Sequence, residues 1–160
     1  MDVNVSWKGK LGFNGTADTG FDVPLDASAS AGGSESGFRP MEMIALGLAG
    51  CTAMDVISIL TKKRQDVTGF DVRVHTEQAQ DHPKVFTSAV IEYLVSGRKV
   101  EEAAVLRAIE LSATTYCPAQ AMLEKALPIA LKYQIFEDGG NGERTLVKSG
   151  TYTPSPALSR

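Results

Sequence analysis

Pro40-Met41-Glu42-Met43-Ile44-Ala45-Leu46-Gly47-Leu48-Ala49-Gly50-Cys51-Thr52-Ala53-Met54-Asp55-Val56-Ile57-Ser58-Ile59-Leu60 is the stretch that decides the fold. Proline opens it where a missing N–H costs nothing, and the spacing predicts one helix over residues 40–65. From Met43 to Leu60 the single charge is Asp55. A segment this long and apolar is either a membrane span or a helix enclosed by protein. Gly47, Gly50, Thr52, Asp55 and Ser58 break its surface with small and polar groups, and nothing else in the chain resembles an anchor. The reading is a buried core helix with no membrane partner. A helix apolar nearly all round needs cover on every side, which in a small domain often takes a second subunit, so a homodimer is expected.

Upstream, Val3, Val5 and Trp7 alternate with polar neighbours and the alternation resumes at Leu11 and Phe13, the pattern of a hairpin. Phe21, Val23 and Leu25 suggest a third short strand, and the small polar run Asp26–Gly37 a surface loop, placed at about 26–39. Downstream, Phe70, Val72 and Val74 alternate, Asp81-His82-Pro83 turns the chain, and Val85 to Val95 alternates again. Residues 100–114 return to helical spacing through Ala104, Leu106, Ile109 and Leu111, and a shorter helix runs from Pro118 to about Lys125. Leu131, Tyr133 and Ile135 form a further strand. From about residue 138 the chain is expected to be a flexible tail, with Thr145-Leu146-Val147 its one candidate strand. Strands, a helix, a hairpin and more helices predict one α+β domain over residues 1–160 rather than a parallel α/β one.

With 43% hydrophobic and 22% charged residues, the 160-residue chain has the composition of a folded globular domain. The formal charge of −3 provides no basic field, so nucleic acid is not an expected partner. Lys62-Lys63-Arg64 is adequately explained by the C-terminal end of the long helix. Met1-Asp2-Val3-Asn4-Val5 lacks the basic and apolar regions of a secretory signal, so a cytoplasmic location is expected. Two cysteines in a reducing compartment draw attention to their chemistry rather than to a structural staple.

Cys117, in Tyr116-Cys117-Pro118, falls at or beside the N-cap of the short helix, where the dipole favours a thiolate. Position alone therefore predicts a lowered thiol pKa, against the commoner fate of a lone cysteine as a small buried hydrophobe. Cys51 lies mid-helix beyond the reach of either helix end, with Asp55 on the same face, and by itself reads as structural. The pair changes the weighting, because a thiol oxidised to a sulfenic acid needs a second thiol to condense with. His75 and His82 share no metal-ligand spacing with cysteine or carboxylate and read as surface residues. Asp55 is a candidate for fixing a nearby cation or a hydroxyl.

The run from Arg39 to Val56, together with Ala108-Ile109-Glu110-Leu111-Ser112 leading to Tyr116-Cys117-Pro118, resembles the two signature segments of the OsmC/Ohr proteins. The resemblance extends over about residues 1–137. It implies an α+β fold of antiparallel sheets around a long buried central helix, an intertwined homodimer with two active sites, and thiol-dependent reduction of organic hydroperoxides. By that resemblance Cys51 is the peroxidatic thiol, Cys117 the resolving one, a lipoyl-type dithiol the reductant, and no metal or organic cofactor is required.

Two departures from the family pattern stand in the sequence. The family's glutamate ten residues before the first cysteine is replaced by Met41, and Glu42 would lie on nearly the opposite side of a straight helix from Cys51 at about 100° per residue. The family's activating arginine comes from the N-terminal strands, yet no arginine precedes Arg39. Arg39 is the best substitute by position, ahead of Lys8 and Lys10, and the candidate site is Cys51, Cys117, Arg39 and Glu42. The competing reading is a non-catalytic or redox-sensing relative that binds a small hydrophobic molecule.

Overall fold

The computed structural model of the chain describes residues 1–140 and 142–153. Contacts divide it into two compact units, Met1–Leu46 and Gly47–Arg160, the division falling inside the long helix.

The first unit carries β1 (Val3–Gly9), β2 (Gly12–Ala17) and β3 (Asp22–Leu25), an antiparallel sheet in that order. Gly9 and Lys10 take positive φ and turn the chain between β1 and β2, and the Trp7 indole N–H closes this turn on the Lys10 carbonyl at 2.9 Å. The expected loop at 26–39 is present and highly ordered by one side chain. Asp26, 4% exposed, accepts from the N–H groups of Ala27, Ser34 and Ser36 and from Ser36 Oγ. Those bonds hold its carboxyl down at about 2, the Ser36 hydroxyl contributing most. A short 3₁₀ turn, Ala29–Ala31, lies within the loop. The long helix α1 (Pro40–Lys62) begins here and continues through the second unit.

In the second unit β4 (Asp66–Gln78), β5 (Phe86–Arg98), β6 (Ile129–Asp138) and β7 (Arg144–Tyr152) form one sheet in that order. The expected α+β architecture is present, and within its antiparallel pairings β5 and β6 run parallel from Ala89–Ile129 to Gly97–Glu137, which makes this sheet mixed. Parallel neighbours require a long crossover, and the helices α2 (Glu102–Leu111) and α3 (Pro118–Leu123) occupy it. In the tail expected from about residue 138, the candidate strand Thr145-Leu146-Val147 is present and longer than expected, running over 144–152 and paired antiparallel with β6; residues 154–160 lie outside the described residues. Gly150 belongs there for space, since a Cβ would sit 2.6 Å from the Tyr133 hydroxyl that donates to Glu102 at 2.7 Å.

The core lies between one face of this sheet and the helices. Ile91, Tyr93 and Val95 of β5 and Leu131, Tyr133 and Ile135 of β6 point into it, as the period of two demands. Ala104, Val105, Ala108 and Ile109 of α2 cover them; Leu106, expected on this stripe, is only partly buried because 105, 108 and 109 define the inward face. From α1 a strict four-residue stripe is buried, Leu48, Thr52, Val56 and Leu60. The expectation of a helix buried all round is therefore met along one stripe only. Just 22% of its most apolar 18-residue window is buried within the chain, although its length and composition alone would also suit a membrane span.

Candidate thiol site

Tyr116 ends a single π-turn, Ser112–Tyr116, that continues α2. Pro118 disfavours helical backbone in the residue before it, so Cys117 is extended (φ −78°, ψ 100°) and becomes the N-cap of α3. Its N–H donates to the Ser112 carbonyl at 2.9 Å, and its sulfur accepts the Gln120 N–H at 3.4 Å. Cys51, half-buried on α1, lies close enough to Cys117 to add to the rise of its thiol pKa. The structure thus brings together the two cysteines expected to act as a pair.

Cys117 does not carry the lowered pKa that its N-cap position predicts. It is 2% exposed, and burial pushes the thiol up to about 11, with Cys51 and Asp55 adding to the rise and the Gln120 N–H only partly opposing it. Desolvation of the charged form outweighs one amide and a six-residue helix.

Beside the thiols runs a buried chain of hydroxyls. Tyr93 Oη lies 2.7 Å from Thr52 Oγ1, Thr52 Oγ1 lies 2.9 Å from Ser112 Oγ, and Ser112 Oγ donates to Asp55 Oδ2 at 3.1 Å. Each hydroxyl has one proton. With that of Ser112 given to the Asp55 carboxylate, Thr52 must donate to Ser112 and Tyr93 to Thr52, so every bond in the chain has a fixed direction. Burial raises the Tyr93 phenol to about 12, the Thr52 hydroxyl opposing the rise in part and Cys117 and Asp55 adding to it. Asp55, expected to fix a cation or a hydroxyl, holds a hydroxyl. It also lines a cavity of about 270 Å³ with Ser58, Ile59, Lys62, Leu111 and Tyr116.

The other two expected site residues form a pair of their own in the first unit. Glu42 accepts the Arg39 N–H at 3.0 Å, the side-chain half of a capping box at the start of α1, and its second oxygen lies 3.6 Å from the Arg39 guanidinium. Glu35 stands 3.9 Å from the same guanidinium. Among the described residues no group of three His, Cys, Asp or Glu side chains could hold a metal, and His75 is exposed and bonded to Glu77.

Thr52, Tyr93, Ser112 and Gln120 were not singled out by the sequence reading. For three of them a signal was available. Thr52 sits four residues after Leu48 on the buried stripe, Tyr93 between Ile91 and Val95 on the inward face of β5, and Ser112 three residues after Ile109. A hydroxyl at a periodic core position must find a buried partner.

Comparison with known proteins places this geometry. The family model described as "OsmC-like protein" matches residues 32–132. The protein YhfA of Escherichia coli K12 is 37% identical over 135 residues, covering 84% of this chain and 98% of YhfA. A hypothetical protein from Aquifex aeolicus has a similar solved structure, with 26% identity, a TM-score of 0.75, and 86% of this chain and 96% of that one covered. An OsmC-like protein from Mycoplasma pneumoniae shares the fold at 16% identity, with a TM-score of 0.72 over 84% of this chain and 95% of that one.

Proposed function

The chain belongs to the OsmC-like family, a membership that supports a redox or peroxide-resistance role, and on that premise we propose that it is a thiol-dependent peroxidase acting on organic hydroperoxides. The observation that carries the reading is the nearness of Cys51 to Cys117, the segments that carry them being tied by the 2.9 Å Thr52–Ser112 hydrogen bond.

Cys51 attacks the distal oxygen of the hydroperoxide; the O–O bond breaks, an alcohol leaves with the proton, and a sulfenic acid remains on Cys51. Cys117 then attacks that sulfur, giving a disulfide and water, and an external dithiol of the lipoyl type returns both thiols. The division of roles is supported by exposure and charge. Cys51 is the more accessible sulfur, whereas Cys117 is buried and held protonated, suited to wait for the sulfenic acid rather than to meet the peroxide.

The same reading takes the protein as a soluble, cytoplasmic homodimer. Ile44, Leu46 and Met54 of α1 are 44%, 50% and 72% exposed, and a second copy is the cover this apolar helix calls for.

Consumption of tert-butyl hydroperoxide with a dithiol reductant tests the proposal. Turnover should vanish in Cys51→Ser, and in Cys117→Ser the reaction should halt at a trappable sulfenic acid. Consumption that is slow and indifferent to Cys51→Ser would remove the peroxidase reading.

A further inference from the structure

Among the described residues, one buried side-chain polar atom lacks a hydrogen-bond partner, Oε1 of Gln120. The residue is 4% exposed, and its backbone N–H is the group that donates to Cys117 Sγ. A buried amide oxygen left unpaired destabilises the fold, and such an atom in a native chain asks for an explanation.

Local geometry explains why it is unpaired. Gln120 is the third residue of α3, and Cys117 is the N-cap. Gln or Glu at that position commonly turns back to accept the N-cap N–H, as Glu42 does from Arg39 at the start of α1. At α3 that N–H is already engaged, because Cys117 donates it to the Ser112 carbonyl of the π-turn at 2.9 Å. One half of the reciprocal arrangement is present, sulfur accepting from Gln120 N–H, and the other is blocked. The amide oxygen is left as an unpaired acceptor in the first turn of α3, the helix that Cys117 caps.

We propose that Gln120 is a specificity-determining residue of the thiol site, its amide oxygen accepting the O–H of the hydroperoxide that Cys51 attacks. This rests on the peroxidase reading above. The O–H of ROOH belongs to the distal oxygen, the atom transferred to sulfur. In the step Cys51–SH + ROOH → Cys51–SOH + ROH, the S–O bond forms and the O–O bond breaks. Sulfur loses two electrons, the peroxide gains them, and the thiol proton ends on the departing alkoxide. The O–H held by Gln120 stays on the transferred oxygen, so one hydrogen bond serves both the substrate and the sulfenic acid. Peroxides without an O–H leave Oε1 unpaired, which confines the substrate class to hydroperoxides.

The test compares two reagents for the same thiol in the full chain. Cys51 oxidation by tert-butyl hydroperoxide and Cys51 modification by methyl methanethiosulfonate, which has no O–H or N–H to donate, are timed by quenched mass spectrometry. The variants are Gln120→Leu and Gln120→Met, the second preserving volume and length should the first fail to fold. We expect oxidation by hydroperoxide to slow by about tenfold, the loss of one buried hydrogen bond, with the methanethiosulfonate rate unchanged and the melting temperature equal or higher. Unchanged oxidation in the variants overturns the inference, as does an equal loss with both reagents, which would make Gln120 a packing residue. A parent protein whose Cys51 resists hydroperoxide but reacts with methanethiosulfonate overturns the peroxidase reading itself, and is told apart from the other failures by the parent's behaviour alone.

Discussion

The Cys117 amide donates to the Ser112 carbonyl at 2.9 Å, so the residue whose hydroxyl links Thr52 to Asp55 also fixes the backbone of the second thiol. Thr52 follows Cys51 directly on α1. The Thr52–Ser112 bond therefore ties together the two segments that carry the sulfurs.

Ser112→Ala should loosen that tie. It leaves Thr52 without its acceptor and Asp55 without its donor, a loss of about 1–3 kcal/mol in denaturant unfolding for groups this buried. Diamide-induced formation of the Cys51–Cys117 disulfide should slow as well. Thr114→Ala, which removes an exposed hydroxyl bonded only within its own turn and to Thr115, should stay within about 0.5 kcal/mol. Equal effects from the two substitutions would refute the anchoring role.

Because the hydroxyl chain has one direction, its members should couple. Thr52→Val and Tyr93→Phe each break the 2.7 Å bond, and the first strands a buried phenol proton. Each single substitution is expected to cost about 1–3 kcal/mol. The double variant should cost less than their sum, by about 0.5 kcal/mol or more, as contacting residues do. Strict additivity would mean that the bond contributes nothing.

Alkaline pH should weaken the fold through Cys117. Its thiol is raised from 9.0 to about 11, so above the unfolded value the denatured chain releases a proton that the folded chain retains. Stability is then full below about pH 9 and is lost progressively as pH rises through about 11. Cys117→Ala should flatten this part of the stability curve, and Tyr93, raised to about 12, accounts for the decline that persists. Thermal melts across pH 8–11 measure both; a parent and variant with parallel curves would rule out the Cys117 contribution.

Acid acts on the first unit through Asp26. Its carboxyl is lowered from 3.8 to about 2, and the unfolded chain therefore binds the proton first. The stabilisation is present above about pH 4 and disappears as pH falls through 2. Protease cleavage within 27–37 should rise over that window, using an acid-active protease. Asp26→Asn, which keeps the shape but replaces one acceptor oxygen with a donor, should already show the rise at neutral pH. Cleavage independent of both would contradict the ordering role given to Asp26.

Met54 tests the second copy. It is 72% exposed on α1, and Met54→Lys should convert a dimer to a monomer in sedimentation analysis if a partner covers that face. A parent protein that sediments as a monomer at tens of micromolar would dismiss the dimer.

Periodicity alone determined the long helix from Pro40, the alternation of β4, β5 and β6, the turn at Asp81–Pro83 and the N-cap place of Cys117, because each depends on residues near one another in sequence. The pairing of Cys51 with Cys117 was an inference from chemistry and family likeness, since they stand 66 positions apart and only the packing of α1 against the π-turn brings the sulfurs together. Tertiary structure alone decided the rest. The parallel β5–β6 pair depends on where the crossover lands, and the extension of β7 beyond Thr145–Val147 on its hydrogen bonds to β6. The hydroxyl chain draws on α1, β5 and the π-turn at once. The Cys117 thiol was misjudged for the same reason: a helix dipole can be read from local sequence, whereas the desolvation that overrides it comes from everything packed around the sulfur.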